Sequence, residues 1–547
     1  MASYFSRLSP VPGFPEYTGP YKVGTIDVEI PITGLESSSP APEDHISTVQ
    51  YRIFYPCEPE SKGKSVNWIP NPQQGYVSAY TRFLGAGSAL AEVISYFPRL
   101  LYYISIPVRK NAPLLPPNTT NKRWPVMIFS HGLGGSRNAY SHLVGSIASH
   151  GMIVIAPEHR DGSTPISYIR DVPSNNSVTE KSAARKAKRT IDYTKMSHTP
   201  SPEVEAGRNA QLRLRLWELG LIHDSLLKLD QGTELSNLNS SSTPLAPFKD
   251  MMDVHTPGKI AFAGHSFGAA TVAQFVKSTF YSPRNAEAPK DYEPLFTPTS
   301  RSPLLSQITP QTPLILLDVW CLPLRAASTR WLWNLPFPCY TPGGPGGSAL
   351  LAVESQAFFK WRVHLKATKR LLSPDPSSDV YTYAKPSATN ESQTSWPQPN
   401  FFYADASAHL SQSDFGVLFP WVTKRIFGSE EPERVMKLNV RAILQILRNQ
   451  DIQVSQTSAA DMELEEEKGV ETRRDEKILG KGGEVRRWHW ISTDLDEEDG
   501  EAVKAEGEEG KVKNGPKEEV ERSEVKEPSQ AVVGNEVLKG REGKERL

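Results

Sequence analysis

The sequence predicts an α/β fold with a mainly parallel central sheet flanked by helices, and three observations carry that expectation. From about residue 20 to 450, short β-branched or apolar runs alternate with longer helical patterns. Most of the runs are continuously apolar, as strands buried on both faces of a parallel sheet must be. At 547 residues the chain can bury a large core and still carry appendages.

In chain order, the expected strands are VEIPI, TVQYRIFYP, PVMIFSHG, MIVIAPEH, KIAFAGHS, PLILLDVW and NFFYADASAH. Before the KIAFAGHS strand, Leu212, Leu216, Leu219 and Leu226 fall roughly on one face of a helix, which predicts a buried scaffold element. Residues 1–20 read as a flexible N-terminus and 21–450 as the folded domain. Polar stretches rich in Ser, Thr, Pro and Asn predict surface insertions at about 170–206 and 372–400. From 451 to 547 the composition turns to mixed charge with few apolar residues, so a disordered tail is expected. One island in it, VRRWHWISTDLD around Trp488 and Trp490, reads either as a docking motif for an unknown partner or as two chance tryptophans.

Composition narrows the function. A formal net charge of −1 offers no electrostatic argument for nucleic acid. Cys57, Cys321 and Cys339 have no zinc spacing, and neither a structural metal nor a cofactor is expected. The first residues lack the apolar run of a secretory signal, so a cytoplasmic setting is the default. The most apolar window, Phe83 to Val108, is broken by Glu92, Pro98 and Arg99. It can lie on a membrane or in a core but should not cross a bilayer. His159-Arg160-Asp161 and Asp414-Phe415-Gly416 resemble kinase motifs singly, yet Ile166 stands where the catalytic-loop Asn belongs and no nucleotide loop precedes them.

The stretch KIAFAGHSFGAA carries the chemical hypothesis. Gly264-His265-Ser266-Phe267-Gly268 is a G-x-S-x-G pattern between a credible strand and a credible helix, the setting of a nucleophile elbow. A serine hydroxyl needs a base and an oxyanion site to react at neutral pH. Acid and base are expected downstream, in that order, each in a loop after a strand. His489 falls in the expected tail, and His364 sits in a helical pattern where a surface or capping role is expected, which leaves His409. Asp318 ends the strongest apolar run after Ser266, whereas Asp375, Asp379 and Asp405 lie in polar sequence. Upstream, His131-Gly132-Leu133-Gly134-Gly135 ends a strand, and the Leu133 and Phe267 amides are the expected oxyanion donors.

Taken together, GHSFGAA, FSHGLGGSR, APEHRDGS, LLDVW followed by LPL, TVQYRIFYP and NWIPN resemble the plasma and intracellular type II platelet-activating-factor acetylhydrolases. That group is a Ca²⁺-independent phospholipase A2 family with an α/β-hydrolase fold. The resemblance covers about residues 45 to 430 and implies Ser266 as nucleophile, Asp318 as acid, His409 as base, and Leu133 and Phe267 as oxyanion donors. The implied activity is that of a 1-alkyl-2-acetylglycerophosphocholine esterase acting on a phospholipid substrate. It also implies peripheral membrane-surface contact through residues 76–105 and 417–427, where a core role for the same apolar stripes is the alternative. The spacing from Ser266 to Asp318 is long and the tail has no counterpart, features that look like a fungal homologue. A soluble carboxylesterase or a lipid transacetylase would share every catalytic residue. A non-catalytic interaction protein with a vestigial hydrolase domain is the rival of another class.

Overall fold

The computed structural model describes residues 12–43, 45–85, 99–170, 187–239, 241–242, 244–378, 396–462 and 475–494. Strands β1 (Lys22–Pro31), β2 (Thr48–Cys57), β3 (Arg109–Lys110), β4 (Val126–Ser130), β5 (Ile153–Pro157), β6 (Ile260–His265), β7 (Leu314–Leu317), β8 (Leu350–Ser355), β9 (Asn400–Ala404) and β10 (Trp488–Trp490) form one sheet among the described residues. Its order is β10-β9-β8-β7-β6-β4-β5-β2-β1-β3. From β5 through β9 every pairing is parallel, while β2 runs antiparallel to β5, β1 to β2, and β10 to β9. This is the sheet of an α/β-hydrolase fold.

The helices that matter to the site are α1 (Gln73–Phe83), α2 (Ser141–Ser149), α3 (Pro202–Gln231), α4 (Phe267–Tyr281), α5 (Gln356–Lys360), α6 (Arg362–Leu372), α7 (Asp414–Leu418), α8 (Pro420–Phe427) and α9 (Pro432–Asn449). The period of two along a strand sorts the central residues onto two faces. In β6, Ile260 and Phe262 pack with α3 and α4, whereas Ala261 and Ala263 pack with α2 and α9. Both faces are therefore dry, which is why the central strands are apolar at every position.

Helix α3 shows how local sequence sets an element. Ser201 caps its start by accepting the Val204 N–H at 3.2 Å, Pro202 occupies the first turn, and Gly232 ends it at φ 80°. Leu212, Leu216, Leu219 and Leu226 are fully buried on it, as their spacing predicts.

The structure differs from the sequence reading in five places. Residues 12–20 are not a free arm: Tyr17 donates to Ser141 O at 3.0 Å and both Phe14 and Tyr17 stack on His142. The insertion expected at 170–206 is partly regular, because Ile166–Arg170 pairs with Ala187–Asp192 as a hairpin and α3 begins at Pro202. Residues 171–186 of it lie outside the described residues, as do 379–395 of the second insertion. Strand β8 was hidden because LLAVES runs directly into the helical QAFFK. His364 is buried in α6, where Nε2 accepts the Cys321 N–H at 3.1 Å, so it is neither a surface nor a capping residue.

The fifth difference is the tail. Residues 475–494 pack on the domain, with β10 closing the sheet beside β9 and Trp488 buried against Phe402 at 5.3 Å. The two tryptophans of the charged island are thus an edge strand, and His489 stacks on Tyr403 at 4.8 Å. Residues 495–547, also assigned to the disordered tail, lie outside the described residues.

Candidate active site

Ser266 sits at the joint between β6 and α4 with φ 56° and ψ −120°, a conformation that costs a non-glycine residue about 1–3 kcal/mol. Its backbone is held there by three hydrogen bonds. The Ser266 N–H donates to Leu317 O at 2.8 Å, and Ser266 O accepts from Ala270 N at 3.1 Å and Trp320 N at 3.3 Å. The flanking glycines are dictated by close backbone approach. A Cβ on Gly268 would stand 2.0 Å from Ser130 O, and one on Gly264 would stand 2.4 Å from the Gly268 carbonyl carbon. The strand, the sharp turn and the helix can meet only without side chains at these two positions.

Asp318 follows β7, the strand beside β6, and is fully buried at φ 41°. Its Oδ1 accepts the Ser355 N–H and its Oδ2 meets His409 Nδ1 at 2.9 Å. The His409 ring lies between Phe358, stacked at 4.6 Å and 5°, and His265, at 4.3 Å. His265 directly precedes Ser266, so the His409–Asp318 pair is packed against the elbow. Nitrogen and oxygen atoms of His265, Asp318 and His409 all lie within 4.8 Å, spacing that a metal ion could also use. Here His409 Nδ1 is engaged by Asp318 and His265 Nδ1 by Tyr140, so the donor set fits a hydrogen-bonded relay.

The loop after β4 brings the other half of the site. A Cβ on Gly132 would stand 3.0 Å from Ser266 Cβ, which measures how closely this loop approaches the elbow. Gly134 N donates to Ser163 O at 2.8 Å and Gly135 N to Gly132 O at 3.1 Å. Among the described residues, the Leu133 and Phe267 amides donate to no protein group. Two unspent N–H groups therefore flank the serine, one of them at the N-terminus of α4 where the helix dipole favours negative charge. Ser266, Asp318, His409, Leu133 and Phe267 are all brought to one place, with Ser266 only 7% exposed.

Several residues of the site escaped the sequence reading. Tyr140 accepts the Gly132 N–H at 3.2 Å and lies 2.8 Å from His265 Nδ1, tying the oxyanion loop to the elbow. Burial, followed by the neighbouring His409, holds His265 well below the usual histidine range, so it stays neutral and its Nδ1 can accept a hydrogen bond from the Tyr140 hydroxyl. Behind the loop, His131 Nε2 accepts the His159 N–H at 3.1 Å while Nδ1 contacts Gly132 O at 2.9 Å. His159 spans Ser130 Oγ at 2.9 Å and Glu218 Oε2 at 2.8 Å. Glu354, beside Asp318, has its carboxyl pushed well above the usual range by burial first and by the Asp318 charge second. The protonated form of Glu354 is therefore favoured beside the Asp318 carboxyl.

The family model for platelet-activating factor acetylhydrolase, isoform II, matches residues 8–331. The chain belongs to this family. A protein of Schizosaccharomyces pombe described as a "Putative phospholipase A2" is 27% identical over 463 residues, covering 80% of this chain and 92% of that protein. The Cavia porcellus platelet-activating factor acetylhydrolase is 33% identical over 262 residues, 48% of this chain. The matched region spans 51% of that animal enzyme's own length. Among solved structures, a ferulic acid esterase from Streptomyces cinnamoneus is similar with a TM-score of 0.42 and 14% identity, over 80% of this chain and 92% of that one.

Proposed function

We propose that this chain is a serine esterase that removes the sn-2 acetyl or short or oxidised acyl group from platelet-activating-factor-like glycerophospholipids. The observation that carries the reading is the placement of Ser266, on a strained elbow, beside both the His409–Asp318 pair and the unspent amides of Leu133 and Phe267. Family membership supports the lipid ester as substrate. In this reading Ser266 Oγ attacks the ester carbonyl as His409 takes its proton, and Asp318 fixes the imidazole tautomer and stabilises the imidazolium. The two amides receive the carbonyl oxygen as it becomes an oxyanion. The lysophospholipid leaves with the proton from His409, and water then attacks the acyl-enzyme with His409 as base. In this reading protein groups and one water carry every step, and Ca²⁺ takes no part.

Access from a lipid surface fits the outer face of the same region. Tyr80 of α1 meets Phe415 of α7 at 5.7 Å, which places the two apolar segments side by side. Tyr103 and Trp421 are 70% and 71% exposed there, and Arg425 lies 5.9 Å over the Trp421 ring. Aromatic side chains flanked by Lys424 and Arg425 suit peripheral docking at a headgroup layer. Residues 86–98 of the first segment lie outside the described residues. No helix among the described residues is long and apolar enough to cross a membrane.

The test is a lipid panel run with wild type and Ser266→Ala side by side. Wild type should hydrolyse an sn-2 acetyl ether phospholipid in preference to a long-chain diacyl lipid, and Ser266→Ala should lose about 10³-fold or more of that turnover. A fluorophosphonate probe should label wild type but not the variant. Retained activity in the variant would reject Ser266. Preference for a soluble nitrophenyl ester, or acetyl transfer to a second lipid in place of water, would replace the substrate assignment while leaving the triad standing.

A further inference from the structure

Two arginines on α3 lie seven residues apart and both rest on the ring of Phe267, whose amide faces the elbow: Arg215 at 4.3 Å and Arg208 at 5.7 Å. Their polar surroundings are opposite. All three nitrogens of Arg215 are engaged, with Nε on Asp161 Oδ2 at 2.7 Å, Nη1 on His131 O at 2.9 Å and Thr271 Oγ1 at 3.2 Å, and Nη2 on Ser163 Oγ. Arg208, equally buried, donates from Nη1 to Gln211 Oε1 at 2.8 Å and shares a longer hydrogen bond with the Tyr193 phenol. Among the described residues no partner stands within 3.5 Å of its Nε or Nη2 in hydrogen-bonding geometry.

These two nitrogens are not a random pair. Nε and Nη2 form the side edge of the guanidinium, whose parallel N–H groups match two oxygens of a carboxylate or phosphate. Arg137 uses this edge on the two oxygens of Asp27, through Nε at 2.8 Å and Nη2 at 3.2 Å. The carboxylate that acts on Arg208 is Asp161, already committed to Arg215, so two cations share one anion. A buried cation without its own counter-charge is costly to keep. Arg208 also lies 5.0 Å over the ring of Trp320, two residues beyond Asp318, and Trp320 meets His198 at 5.2 Å. The Arg208 guanidinium is thus packed between the ring of an oxyanion-donor residue and the segment that follows the acid.

We propose that the Nε–Nη2 edge of Arg208 grips the phosphodiester of the glycerophospholipid while its sn-2 carbonyl lies between the Leu133 and Phe267 amides. The inference rests on the esterase reading above and deepens it: Arg208 is a substrate-binding residue that sets the requirement for a phosphate beside the scissile ester. A carboxylate at the end of an oxidised sn-2 chain has the same bidentate chemistry and is the competing source of the anion.

The experiment compares wild type, Arg208→Met and Arg208→Lys on three substrates held below their aggregation thresholds. These are an sn-2 acetyl ether phosphocholine, the corresponding acetylglycerol without phosphate, and a phosphocholine whose short sn-2 chain ends in a carboxylate. Arg208→Met should lower kcat/KM for the acetyl phosphocholine at least tenfold more than for the acetylglycerol, mainly through KM, with Arg208→Lys in between. Its thermal midpoint should match or exceed that of wild type, because an uncompensated buried charge has been removed. Equal losses on acetyl phosphocholine and acetylglycerol, or a lowered midpoint with both reduced together, would make Arg208 structural and overturn the proposal. A loss confined to the carboxylate-ended lipid would also overturn it. Ser266→Ala assayed on the acetylglycerol keeps the two readings apart: its loss of turnover upholds the esterase assignment whatever Arg208 does.

Discussion

Asp414 Oδ2 accepts both the backbone N–H of Ser141, at 2.8 Å, and its hydroxyl, at 2.6 Å, across 273 residues of sequence. Oδ1 takes the His142 N–H at 2.9 Å, and Trp68 Nε1 adds a fourth donor at 3.0 Å. One carboxylate at the start of α7 therefore caps α2, the helix that follows the oxyanion loop. Because α7 follows directly on the turn that carries His409, this contact joins the base to the oxyanion donors.

Asp414→Ala should therefore cost about 3 kcal/mol or more of stability, since four buried donors lose a charged acceptor. Asp414→Asn, which keeps part of the cap, should cost about half as much. Urea unfolding of the three proteins measures both values. A loss under about 1 kcal/mol for the alanine variant would show that the two loops are held by other contacts.

A second prediction separates the two neighbouring acids. Asp318→Asn keeps the shape of the site but presents an amide to His409 Nδ1, so the imidazole tautomer is no longer fixed, and kcat should fall by about 10³- to 10⁴-fold. Glu354→Gln replaces a neutral acid with a neutral amide of the same size, and kcat should stay within about threefold of wild type. Comparable losses in both variants would mean that the two carboxyls share the work.

What could be read in advance follows from where each signal resides. The Ser266 elbow was legible because its requirements are local: a strand, two glycines against backbone, and small residues opening α4. Asp318 and His409 were legible by elimination, each lying where a strand gives way to a loop. Asp414 read as part of a kinase-like Asp-Phe-Gly stretch, since nothing near it in sequence says that Ser141 needs a cap. Tyr140, His159 and Glu218 were missed for the same reason: a buried polar network is defined by partners in distant elements. Strand β8 was obscured by the helix that follows without a break. Strand β10 was unreadable because three residues gain their stability by pairing with β9, in a stretch of sequence otherwise poor in apolar residues.

The Glu218 carboxyl gives a pH prediction with a definite sign. Burial pushes it up to about 8, from 4.5 in an unfolded chain. The folded protein then holds a proton that the unfolded chain releases, so stability from this group is full below pH 4.5 and is lost as pH rises toward 8. The slope is at most about 1.4 kcal/mol per pH unit. Glu218→Gln presents the same donor and acceptor as the protonated acid to His159 and Arg160 and does not titrate. Its stability relative to wild type should increase from pH 5 to about pH 8 and then level off. Thermal midpoints across that range measure it, and a constant or falling difference would place the proton elsewhere.

The last prediction concerns the packed part of the tail. Strand β10 pairs Trp488 with Ala404, and Arg487 O accepts the Asp405 N–H at 2.9 Å, four residues before His409. Arg487 also binds Glu430 at 3.3 Å and Glu431 at 3.2 Å, which lie just before α9. Trp488 fills the space over Phe402 and donates its indole N–H to Ile478 O at 2.8 Å. A chain ending at residue 470 would expose the edge of β9 and release the backbone leading to the base. It should unfold at a lower temperature and lose ester turnover, whereas a chain ending at residue 495 should keep both. Trp488→Ala should cost about 3–5 kcal/mol, as expected for truncating a large buried aromatic. If the 470 truncation matches the full chain in midpoint and turnover, β10 is an accessory to the sheet, and the His409 loop is held by the domain alone.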